Sequence, residues 1–178
     1  MESTIHWMDF IPLALFIWGG RLANFISSTH NSTSHAFFLG ASAALIQLVY
    51  WVYHKQSIDY LALGANLFLI VGALGVVFDS ALLEATGFFK QATLFAWILL
   101  VGGIATFSTP RGFLHLPKNN LFSFVGSLTL LALTGIALVL SYGMISYFKF
   151  GIGLGIGIPF VSLVSFQEIL KNYFLKHG

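Results

Sequence analysis

The chain has 178 residues, of which 57% are hydrophobic and only 8% charged, with a mean hydropathy of +0.88. That balance cannot clothe a water-soluble globule in polar surface. The net charge of +2 offers no basic patch for nucleic acid, and the absence of cysteine excludes disulfides, thiol redox chemistry and Cys-held iron–sulfur clusters. What remains is an all-α, polytopic transmembrane bundle forming one integral membrane domain over residues 1–178.

A hydrocarbon core about 30 Å thick is crossed by roughly 20 helical residues. The first apolar run, residues 10–26, contains Pro12, the Gly19-Gly20 pair, Arg21 and Asn24, so it reads as a thin span or as a re-entrant hairpin turning at the glycines. Residues 36–53, 61–78, 92–107 and 121–142 are each long enough to cross and hold no Asp, Glu, Lys or Arg. The segment between the last two runs carries Pro110, Gly112 and Pro117 and is too short for a domain. A further run, residues 150–166, brings the expected total to five or six spans. Beyond it, residues 167–177 place Ile169, Leu170, Tyr173 and Phe174 on one side of a helix and Glu168, Lys171, Asn172 and Lys176 on the other, the pattern of a tail lying along the headgroups.

Basic residues of short loops mark the cytoplasmic side. Lys55, Arg111, Lys118, Lys171 and Lys176 fall on one side, which makes the C-terminus cytoplasmic; Arg21, Lys90 and Lys149 lie towards the other. The opening residues carry an acid, Glu2, where a secretory signal needs positive charge, so the first run is expected to be retained.

Candidate chemistry is sparse. The six histidines, His6, His30, His35, His54, His115 and His177, sit at helix ends or in loops, and no His-x-x-x-His pair occurs, so neither metal nor haem is expected. Ser127 follows Gly126 but lacks the second glycine of an intramembrane serine protease, and reads as a packing hydroxyl. Gly151 with Gly155, and Gly153 with Gly157, form small-xxx-small pairs that suit close helix approach, and Pro159 predicts a kink by leaving the Gly155 carbonyl without its N–H partner. The functional candidates are the polar groups at membrane depth: Asp9, Arg21, Lys90 and Lys149 among charges, and Asn66 with Gln47 among amides. No catalytic residue, cofactor or metal ligand emerges, and the chain is not expected to be an enzyme.

Several strings, taken together and in order, resemble the bacterial intracellular septation protein A family, the inner membrane-spanning YciB proteins. They are Asp9-Phe10-Ile11-Pro12-Leu13; Val49-Tyr50-Trp51-Val52-Tyr53-His54-Lys55; Phe88-Phe89-Lys90; Leu114-His115-Leu116-Pro117; and Tyr147-Phe148-Lys149-Phe150-Gly151. The resemblance implies an inner-membrane protein of envelope maintenance, elongation or septation, whose partners are lipids and other envelope or division proteins, and it leaves room for a homo-oligomer. A different reading of the same polar residues is a small transporter or channel with a path near Arg21 and a kinked last helix. The basic-loop pattern makes the topology testable: reporter fusions after Lys55, Arg111 and Lys176 should all report the cytoplasm, and a periplasmic signal at Lys176 would overturn the orientation.

Overall fold

The computed structural model describes residues 7–26, 32–78, 92–114, 116, 120–148 and 152–177. These are helical, with connecting turns and no strand among them. In hydrocarbon a chain can satisfy its backbone N–H and C=O groups within each segment only as a helix, which is why the apolar runs take that form. A 3-10 turn, Trp7–Phe10, leads into α1 (Ile11–Ile26), followed by α2 (Ser32–His54), α3 (Tyr60–Phe78), α4 (Thr93–Ser108), α5 (Asn120–Ser146) and α6 (Ile152–His177). Four stretches are long and apolar enough to cross a membrane, Ser34–His54, Tyr60–Phe78, Leu121–Ser146 and Gly153–Lys176, and two shorter apolar helices, Met8–Gly19 and Thr93–Ser108, accompany them. The protein is a helical membrane protein.

One of the two readings of the first run is closed. The first run does not turn back at Gly19-Gly20, because α1 continues unbroken to Ile26. Gly19 instead seats α1 on α2: a Cβ there would lie 3.3 Å from Leu39 Cδ1 and 3.7 Å from the Ala36 Cα. Residues 167–177, expected as an amphipathic tail, form the last three turns of α6, a single helix of 26 residues and about 39 Å. Its Phe174 ring lies 6.0 Å from Phe122 and covers Gly126 of α5.

Successive helices pack as neighbours from α1 to α6, and among the described residues α6 then touches α1 only lightly. Large rings meet small residues at each junction. Phe16 of α1 lies 4.8 Å from Phe37 of α2 and 5.8 Å from Phe68 of α3, the latter perpendicular, and Phe37 covers Gly72. Such edge-on and tilted ring pairs add to the dispersion of the core. At Gly64 the backbones themselves approach, since a Cβ would lie 2.7 Å from the Ile98 Cα of α4. Between α5 and α6 the close contact at the far end is Gly155 over Ile145, with a Cβ at 2.6 Å from Ile145 Cγ1.

The small residues of α6 thus take different roles. Gly155 is buried against its neighbour, Gly153 is half-buried, Gly157 has open space around it, and Gly151 lies outside the described residues. Pro159 is buried within α6, which continues through it. Overpacking a close contact costs about 1–3 kcal/mol. Gly155→Leu should therefore lower the melting temperature of the detergent-solubilised protein, whereas Gly143→Leu, with nothing within 4 Å of its Cβ position, should leave it unchanged or raise it; equal melting for the two variants would remove this seam.

Candidate functional site

The polar groups of the bundle gather on α3 and its neighbours. Asn66, two turns into α3, is 1% exposed among apolar side chains. A buried amide without a partner is costly, and α2 supplies one: Asn66 Nδ2 donates to Gln47 Oε1 at 2.9 Å. Gln47 Nε2 in turn donates to the Met8 carbonyl at 3.2 Å and to Asp9 Oδ1 at 3.4 Å. The result is a directed chain from Asn66 through Gln47 to the Asp9 carboxylate, tying α3 and α2 to the entrance of α1.

A second cluster centres on Asp59, which precedes α3. Its Oδ1 accepts from the backbone N–H of Leu61 at 2.9 Å and Ala62 at 3.4 Å, capping the helix start and stabilised by the helix dipole. Its Oδ2 accepts from Gln167 Nε2 at 2.9 Å and Lys171 Nζ at 3.3 Å, both on α6. Gln167 is buried, while the side chains of Lys171 and Asp59 retain 21% and 19% of their exposure. Seven residues separate Asp59 from Asn66, so the two positions share a face of α3. On α6, Phe160 lies two turns from Gln167 and meets Phe10 of the first turn edge-on at 5.3 Å.

The connector after α4 forms a third polar group. Gly112 adopts a φ of 61°, and a Cβ there would strike Ser127 Oγ, so the position demands glycine on both counts. Ser127 Oγ accepts from the Leu114 N–H at 3.1 Å, and Ser123 Oγ donates to the Arg111 carbonyl at 2.7 Å. These bonds hold Phe113, Leu114 and Leu116 inward as a plug at this end of the bundle. A cavity of about 150 Å³ lies beside it, lined by Thr106, Thr109, Pro110, Gly112, Ser123 and Phe124. Further along α5, Ser141 Oγ is buried with no hydrogen-bond partner among the described residues.

Of the sequence candidates, Asp9 and Asn66 are brought together through Gln47. Arg21 lies on α1, twelve residues from Asp9 and about 18 Å along the axis, so an unbroken helix keeps the two apart; its side chain is outside the described ones. Lys90 and Lys149 also lie outside the described residues. His54 is exposed against Tyr50 and Tyr53, with ring separations of 4.4 and 5.2 Å, and no set of three potential metal ligands occurs among the described residues. Asp59 and Gln167 were missed, and Lys171 was placed on the solvent side. The one available signal was Asp59 as a helix N-cap just before an apolar run.

No family model, curated protein or solved structure matches the chain. The amide chain yields a direct test. Gln47→Leu should destabilise by about 1–3 kcal/mol because it strands the buried Asn66 amide, and Gln47→Leu/Asn66→Leu should recover part of that loss. Additive losses in a chemical-unfolding double-mutant cycle would mean that the two side chains are not coupled.

Proposed function

We propose that this chain is a non-enzymatic protein of the bacterial inner membrane that serves envelope maintenance, elongation or septation through contacts with other membrane proteins. The observation that carries the reading is the ordered resemblance of its strings, from Asp9-Phe10-Ile11-Pro12-Leu13 to Tyr147-Phe148-Lys149-Phe150-Gly151, to the septation protein A family. In the same reading all six helices cross, with both chain ends on the cytoplasmic side that carries Lys55, Arg111 and Lys171. The chemistry of the interior is compatible with a scaffold: Asn66 donates to Gln47, and Gln47 donates to the first turn. A transport path would need such amides turned towards an open passage.

The surface available to partners is broad and apolar. Val49, Val52, Ile136 and Val139 are all more than half exposed on α2 and α5, where lipid or another helix would cover them. Photo-crosslinking probes at these four positions in living cells, read by mass spectrometry beside a deletion strain, should recover envelope or division proteins and show altered cell length or shape. Normal morphology, with no enrichment over an unrelated membrane protein, would contradict the proposal; loss of uptake of a solute would favour transport.

A further inference from the structure

We infer that the seam between α6 and the α1–α3 side of the bundle is a lateral opening held shut by the Asp59 carboxylate. The helices otherwise pack broadly on their chain neighbours, and α6 is fixed to α5 at both ends, by Gly155 over Ile145 and by Phe174 over Gly126. On its other side, among the described residues, α6 buries Leu163 and Val164 in the core and has the Phe10–Phe160 ring edge and the two donors to Asp59. Its packing on α1 and α3 is lighter than on α5, and its polar contacts there converge on one carboxylate.

The chemistry of Asp59 divides its two oxygens between two tasks. Oδ1 belongs to the start of α3, and Oδ2 alone holds Gln167 and Lys171. Releasing α6 therefore leaves the cap intact. Lys171 is partly exposed, so on release its ammonium reaches water or headgroups without being stranded, and Asp59 is likewise open to water. Both closed and open arrangements keep their charges satisfied, which is the requirement for a two-state element. Opening uncovers the face of α3 that carries Asn66 two turns further in. This inference does not depend on the proposed cellular role.

The division of oxygens supplies a selective variant. Asp59→Asn retains a carbonyl oxygen for the cap but replaces Oδ2 with an amide that cannot accept from Gln167 or Lys171. The chain has no cysteine, so spin labels can be placed at will on the full-length protein in lipid vesicles. Labels at Gln56 and Lys176 report the seam, and labels at Leu121 and Lys176 report the α5–α6 pair; all three sites are exposed. Asp59→Asn, which removes two charge-assisted hydrogen bonds, should raise the long-distance population of the first pair by at least about tenfold, the weight of one of them, and leave the second pair unchanged. Lys171→Met, which does not touch the cap, should act in the same direction and serves if Asp59→Asn fails to fold. An unchanged first pair in the folded variants, or equal broadening of both pairs, would overturn the inference.

Discussion

The hydrogen-bonded chain from Asn66 through Gln47 to Asp9 fixes how the first helix enters the bundle. Because Gln47 lies in the last third of α2, accepts from Asn66 and donates to Asp9, the first turn must lie at the same end of the molecule as the end of α2 and the start of α3. That places the beginning of α1 beside the end of α2 and orients α1 antiparallel to it, an arrangement Gly19 supports from the opposite end by resting on Ala36 and Leu39. The amide chain adds a directional constraint to the apolar seating of Leu13, Phe16 and Gly19 against α2 and α3. In hydrocarbon a stranded amide has no water to fall back on, so a single pair of side chains carries unusual weight in the choice of arrangement.

Packing then follows from size complementarity rather than from a hydrophobic gradient, since lipid is as apolar as the core. Phe37 over Gly72, Phe113 over Gly102, Phe174 over Gly126 and Ile145 over Gly155 repeat one device, a bulky side chain filling the space a glycine leaves. On α5 the buried positions Ser123, Ser127, Leu130, Thr134, Ala137 and Ser141 recur at alternating spacings of four and three, making a stripe that is small or hydroxyl-bearing except at Leu130. Its first two hydroxyls also organise the Thr109–Leu116 connector, so one stripe serves both helix packing and the plug at the bundle end.

Helical class was legible because length and apolarity decide it with little reference to tertiary structure. The polar contacts were partly legible. Asn66 and Gln47 could be singled out, since amides inside apolar runs must find partners, yet nothing in the spacing pairs them with Asp9. The bond from Lys171 to Asp59 was not legible, because Lys171 and Glu168 form a polar face that suits headgroups and the acceptor lies 112 residues away. Gly19-Gly20 left two readings open for a related reason, because glycine serves a turn or a close approach equally well, and only the neighbour, here α2, decides which. Gly112 was noted only as a loop residue; its positive φ and its closeness to Ser127 depend on how the connector folds over α5.

The proposed arrangement, with every helix crossing and both ends on one side, follows from the seating of α1 more than from any other feature. Single cysteines at Met8, which is exposed just before α1, and at Lys176, near the end of α6, can be labelled with a membrane-impermeant maleimide in vesicles of each orientation. The account predicts that both sites react in inside-out vesicles and that both are protected in right-side-out ones. Reaction of Met8 and Lys176 from opposite sides would contradict it, and with it the role given to the Asn66–Gln47–Asp9 chain.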